Sequence, residues 1–81
     1  MPELHLWSGL RARAGGRDTV RVEGDTVGAI LRDLVRNYPE LEETIRAGVS
    51  VSVDGRIIAS DLTTPVAEDS EIYLMQRLKG G

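Results

Sequence analysis

From Val27 to Tyr38 the apolar residues Val27, Ile30, Leu31, Leu34, Val35 and Tyr38 recur at i, i+3, i+4, i+7, i+8 and i+11. That spacing draws a single stripe along an α-helix, and such a stripe must lie on an apolar surface. A chain of 81 residues has room for one small core, so the stripe and whatever it covers share it. Gly24-Asp25-Thr26 precedes the stripe, where Asp25 or Thr26 can accept a hydrogen bond from an orphan amide of the first turn. Asn37-Tyr38-Pro39 stops it, because the residue before a proline disfavours the α conformation. Arg32, Asp33 and Arg36 fall on the expected wet side. Glu40 to Arg46 predicts one further helical turn with Leu41 and Ile45 inward.

The surface under the helix is read from period-two alternation. Leu4-His5-Leu6-Trp7 predicts a first strand, with Leu4 and Leu6 on one face and His5 and Trp7 on the other. Asp18 to Glu23 predicts a second around Val20 and Val22, and Arg11 to Arg17 (R-A-R-A-G-G-R) reads as the loop of a wide hairpin between them. Val49, Val51 and Val53 alternate with Ser50 and Ser52. Asp54-Gly55 then signals a two-residue turn, returning as a strand over 56–59. Asp61 to Ser70 is turn-rich around Pro65, and Glu71 to Met75 predicts the last strand. This order implies an α+β roll: a mixed four- to five-stranded sheet with one main helix packed on one face. The helix should cover Leu4, Leu6, Val20, Val22, Val51, Ile72 and Leu74, leaving Trp7, Tyr73 and Met75 on the opposite face. Residues 1–75 are expected to form the domain, and 76–81 (Q-R-L-K-G-G) a mobile tail.

Composition narrows the chemistry. There is no cysteine, so a disulfide scaffold, a thiolate metal site and a cysteine nucleophile are excluded. One histidine, His5, is too few for a histidine-based metal site or triad, and it reads as an ordinary strand residue. The net charge of −3 argues against a general nucleic-acid binder. No apolar run has the length of a membrane span, and Met1-Pro2-Glu3 has no signal-peptide character, so a cytoplasmic protein is expected. Arg11, Arg13 and Arg17 with Gly15-Gly16 lack the Gly-Lys-Ser/Thr ending of a phosphate loop. Glu40, Glu42 and Glu43 read as a solvated face, and Ser60 and Ser70 have no general base nearby in sequence.

The chain ends in Gly80-Gly81. One reading is a frayed terminus; the other is a C-terminal carboxylate that becomes reactive as an acyl-adenylate. Glycine has no Cβ and can enter a narrow channel, and six extended residues reach about 20 Å into a partner's cleft. In this context Arg77, Leu78, Lys79 and Gly80 are candidate docking residues and Gly81 the attachment point.

The element order, the Asp54-Gly55 hairpin and the ending E-I-Y-L-M-Q-R-L-K-G-G resemble the MoaD/ThiS family of sulfur carriers, which have the ubiquitin-like β-grasp fold. The resemblance covers essentially the whole chain. It implies a protein co-substrate rather than an enzyme, possibly the small subunit of a synthase complex, with no metal or cofactor of its own. A MoeB/ThiF-like activating enzyme would adenylate Gly81 using ATP and magnesium. A sulfur donor protein would convert the adenylate to a thiocarboxylate, and a downstream synthase would receive the sulfur. By the same resemblance Trp7 and Met75 occupy the positions of an exposed partner-facing patch, beside Tyr73. The tail departs from the proline-containing approach of molybdopterin-synthase subunits and is similar to the basic approach in ubiquitin. Two other functions fit the same features: a ubiquitin-like modifier conjugated through Gly81, and a non-reactive β-grasp adaptor. The pathway, among molybdopterin, thiamine, cysteine, thiolated tRNA and secondary metabolites, is set by the synthase and not by this chain.

Overall fold

Five strands form one mixed sheet: β1 (Glu3–His5), β2 (Thr19–Arg21), β3 (Val49–Val53), β4 (Arg56–Ile57) and β5 (Glu71–Gln76), in the order β2-β1-β5-β3-β4. They are seen in a computed structural model that describes residues 1–58 and 61–76, with the side chain of Gln76 left undescribed. β1 and β5 run parallel at the centre, and every other pair is antiparallel. Three helices accompany the sheet: α1 (Ser8–Arg11), α2 (Val27–Asn37) and α3 (Glu42–Ala47). This is the expected α+β roll, with α2 as its main helix.

α2 forms where the stripe predicts it. Thr26 holds extended backbone, and its Oγ1 accepts from the Ala29 N–H at 3.2 Å, so the threonine rather than Asp25 is the cap. The helix ends at Asn37, just before Tyr38 and Pro39. Val27, Ile30, Leu31 and Leu34 are buried, and Tyr38 packs partly buried at the margin. They meet Leu4, Leu6, Val20, Val22, Val51, Ile72 and Leu74, all buried as expected. Each fully buried aliphatic side chain contributes roughly 1.5–3 kcal/mol.

Asp54 and Gly55 both hold positive φ, 50° and 85°, as a two-residue turn between right-twisted strands requires. The Asp54 carboxylate also accepts from the Glu71 N–H at 2.9 Å, tying this turn to the start of β5.

Five expectations change. The stretch expected as the loop 11–17 is largely helical: α1 and a 3-10 turn over Ala12–Ala14 bury Leu10 and Ala14, four residues apart, against the core. The first strand therefore ends at His5, and Trp7 stands at the N-cap position of α1. Asp33 is not on the wet side. It is 9% exposed, and its carboxylate accepts from the Glu23 N–H at 2.9 Å and the Asn37 amide at 3.3 Å, which fastens the link from β2 to the helix. Finally, β5 runs one residue past Met75, with Gln76 opposite Val49. β4 is shorter than expected, and Ala59 and Ser60 lie outside the described residues, as do Arg77 to Gly81.

Candidate functional site

The candidate attachment point Gly81 and the docking residues Arg77, Leu78, Lys79 and Gly80 lie outside the described residues, so the describable part of the site is the ground from which they depart. That ground is the end of β5. Alternation along the strand sends Ile72 and Leu74 into the core and leaves Tyr73, 42% exposed, on the open face. Met75, on the same side, is half-buried and lies opposite Ser50 of β3.

The parallel pairing of β1 with β5 places His5 beside Tyr73. Their rings stack with centroids 4.2 Å apart and planes 11° from parallel. His5 Nδ1 lies 3.4 Å from Thr19 Oγ1, while Nε2 is sealed from solvent with no hydrogen-bond partner among the described residues. The cheapest arrangement puts the proton on Nδ1, directed at the threonine oxygen. It leaves a lone pair, not a donor, unpaired at Nε2. His5 is thus a packing residue of the open face, and it supports Tyr73.

Trp7 arrives from the turn after β1. Its backbone carbonyl accepts from the Leu10 N–H at 2.9 Å, opening α1. Its indole Nε1 sits 2.7 Å from where a Cβ on residue 9 would be, so Gly9 makes room for the ring. Trp7 is half-buried and packs against the core. Together with His5, Tyr73 and Met75 it lines a hollow of about 300 Å³. Arg11 and Asp18 stand at its edge, Nε to Oδ1 3.1 Å apart, an exposed pair that contributes little to stability. The structure therefore brings Trp7, Tyr73 and Met75 together at the end of β5. His5 and the Arg11–Asp18 pair belong to the same hollow. His5 was expected on the Trp7 face, but its stacking on Tyr73 and the approach of the Arg11–Asp18 pair follow from the register between β1 and β5 and from the folding of residues 8–14.

The remaining candidates disperse. Arg13 donates to Thr44 Oγ1 at 3.0 Å, and Arg11 is held by Asp18, so the arginines of residues 11–17 do not converge. Glu42 pairs with Arg46 at 3.3 Å, and Glu40 and Glu43 are exposed. Ser70 is buried, and its Oγ accepts from the Ala67 N–H at 2.8 Å, a turn-closing bond. Among the described residues no group of three or more His, Asp or Glu side chains could hold a metal ion. No described helix is long and apolar enough to cross a membrane.

The family model described as the ThiS family matches residues 5–81. The chain belongs to the ThiS family. Its relatives include the sulfur carrier protein CysO of Mycobacterium tuberculosis, 25% identical over 83 residues that cover 89% of each chain. The crystal structure of M. tuberculosis CysO superposes with a TM-score of 0.86 at 22% identity, covering 96% of this chain and 100% of that one. SAMP1 from Haloferax volcanii superposes with a TM-score of 0.74 at 32% identity, covering 99% and 98%. The fold is accordingly the ubiquitin-like β-grasp. The chain is a sulfur carrier protein of the ThiS/MoaD/CysO kind, and its CysO relatives are small carriers rather than enzymes. Relatives of this kind are solved with partner proteins, as in the BexX/CysO complex of Amycolatopsis orientalis, a protein with a TM-score of 0.85 at 18% identity.

Proposed function

We propose that the chain carries sulfur as a thiocarboxylate on Gly81, formed by a separate MoeB/ThiF-like activating enzyme, and delivers it to a downstream synthase. The observation that carries this reading is the family match, which takes in Gly80-Gly81, five and six residues after the Met75 of the Trp7 hollow. A carboxylate resists nucleophiles. Attack of its oxygen on the α-phosphorus of ATP releases pyrophosphate and leaves an acyl-adenylate. A sulfur nucleophile then adds to the carbonyl carbon, AMP leaves with the original oxygen, and the thiocarboxylate remains. ATP and magnesium belong to the activating enzyme, and this chain supplies only the acyl group. The hollow of Trp7, Tyr73 and Met75 is the surface those partners grip, an aromatic and a thioether of the kind that anchors interfaces. The setting is the cytoplasm, where the chain needs no cofactor of its own.

The test is intact-mass measurement after incubation with a ThiF-type activating enzyme, ATP, magnesium and hydrosulfide. A gain of about 16 Da on the C-terminal glycine is expected, the exchange of one oxygen for sulfur. No gain, or the same gain after deletion of Gly81, overturns the reading. That deletion is expected to leave the thermal midpoint unchanged.

The likeness to SAMP1, which another solved structure names small archaeal modifier protein 1, favours a second reading in which the same terminus is joined to lysines of other proteins. Lys79 is the only lysine here, so chains built on a lysine of the folded body are excluded. High-mass conjugates that vanish with Gly81 would establish the second reading.

A further inference from the structure

A second concavity, larger than the Trp7 hollow, is a groove of about 640 Å³ on the helix side of the sheet, between α2, α3 and the start of β3. Val35, Ile45 and Val49, each half-buried, line it. Arg32, Arg36 and Arg46, all exposed, surround them. Arg46 shares its charge with Glu42, but Arg32 and Arg36 have no carboxylate within ion-pair distance among the described residues. They stand one turn apart on α2, where like charges repel. A chain of net charge −3 thus keeps Arg32 and Arg36 without a carboxylate partner among the described residues, beside an aliphatic floor.

The groove is also preformed. Leu62, 53% exposed, forms its lip. The Gly28 N–H donates to the Leu62 carbonyl at 2.8 Å, and the Val27 N–H to the Thr64 carbonyl at 2.9 Å. Two orphan amides of the first turn of α2 therefore fix the wall. The lining contains no aromatic ring on which a nucleobase could stack, and its aliphatic side chains suit a peptide instead. One end of the groove reaches Val49, the register partner of Gln76. An occupant there approaches the root of the tail from the opposite face to the Trp7 hollow.

We propose that this groove docks an acidic amphipathic helix of a partner protein. Its aliphatic side chains, one turn apart, rest on Val35, Ile45 and Val49, and its carboxylates meet Arg32, Arg36 and Arg46. This surface lies across the sheet from the Trp7 hollow, so both faces can be occupied at once.

The probe is a synthetic helix-forming peptide of about 14 residues with leucines at i and i+4 flanked by glutamates. It is titrated into the full-length, isotope-labelled chain and followed by amide and methyl shifts. Saturable, salt-sensitive shifts at Val35, Ile45 and Val49 are expected. An Arg32→Ala/Arg36→Ala variant, altered only at exposed positions, should keep its thermal midpoint and weaken binding about tenfold. Ile45→Ser should weaken it without changing the salt dependence. The proposal is overturned by absence of shifts up to about 1 mM peptide, by shifts confined to Trp7, Tyr73 and Met75, or by equal binding of a lysine-for-glutamate peptide. Self-association that protects the groove would overturn it too, by making a second copy the occupant. None of these readouts depends on thiocarboxylate formation, so this proposal and the carrier reading fail separately.

Discussion

Along β5, Ile72 and Leu74 are 0% and 2% exposed, while Tyr73 between them is 42% exposed. The same strand supplies the centre of the core on one face and the candidate docking surface on the other. On the covered face, aliphatic residues from four strands meet the helix, and a side chain that shrinks leaves a cavity its neighbours only partly fill. On the open face, Tyr73 is held by the His5 ring, Met75 lies opposite Ser50, and Trp7 leans in from a neighbouring turn. These residues are positioned by the fold but contribute modestly to its stability. A small carrier can therefore keep recognition and stability on alternate residues of one strand, and either can change without the other.

The comparison is tested most severely on the covered face. Leu34→Ala opens a cavity under α2 at a site of 0% exposure and is expected to cost about 2–4 kcal/mol in urea titration. A loss below about 1 kcal/mol would show that the helix stripe does not organise the core. Asp33→Ala should follow, at about 1–3 kcal/mol, because the Glu23 N–H loses a charged acceptor in a partly buried place. On the open face, Tyr73→Ala removes a stacked ring that is already partly in water. It should cost about 0.5–1.5 kcal/mol. If Tyr73→Ala costs as much as Leu34→Ala, the division of labour between the faces is wrong.

Asp33 also shows where reading the sequence stops. Its helical position lies between Ile30 and Leu34, and charge alone placed it outward. The amide that holds it inward belongs to Glu23, ten residues earlier, beyond the reach of any local rule. The stripe of α2, the valines of β3 and the Asp54-Gly55 turn were legible because each depends on spacing within its own element. Residues 11–14, within the stretch 11–17 read as a loop, are helical, and they were misread because Arg11, Arg13, Gly15 and Gly16 look like a loop. The Leu10–Ala14 spacing of four was the available signal for helix, but it is too short to stand alone. At the candidate site, Tyr73 and Met75 were legible as open-face residues of the last strand, whereas Trp7, read as a strand residue, stands half-buried at the start of α1. Their meeting with His5 was not legible, since it follows from a parallel register that pairs His5 with Tyr73, 68 residues later. The arginines around the groove were legible one by one as a wet helix face. Only the docking of α3 and of Leu62 beside them makes that face a concavity.

The smallest effect concerns the lip of that groove. Asp61 is exposed, and its Oδ1 accepts from the Thr63 hydroxyl at 2.6 Å and the Thr63 N–H at 3.0 Å. These bonds, the hydroxyl first, favour the ionised form and hold the carboxyl below its usual value of 3.8. A depressed carboxyl stabilises the folded turn at pH values above its unfolded pKa, and that contribution disappears as pH falls through the folded one. Carboxyl-carbon NMR should therefore place the Asp61 midpoint below 3.8 in the native chain. In Thr63→Ala the midpoint should rise toward that value while staying beneath it, because the residue 63 amide still donates. The Leu62 amide and methyl shifts should follow the Asp61 titration, since the lip is carried by this turn. Leu34 should be blind to it. If Leu34 titrates with Asp61, the groove wall and the core are one cooperative unit, and the covered face is less insulated from its surroundings than its burial implies.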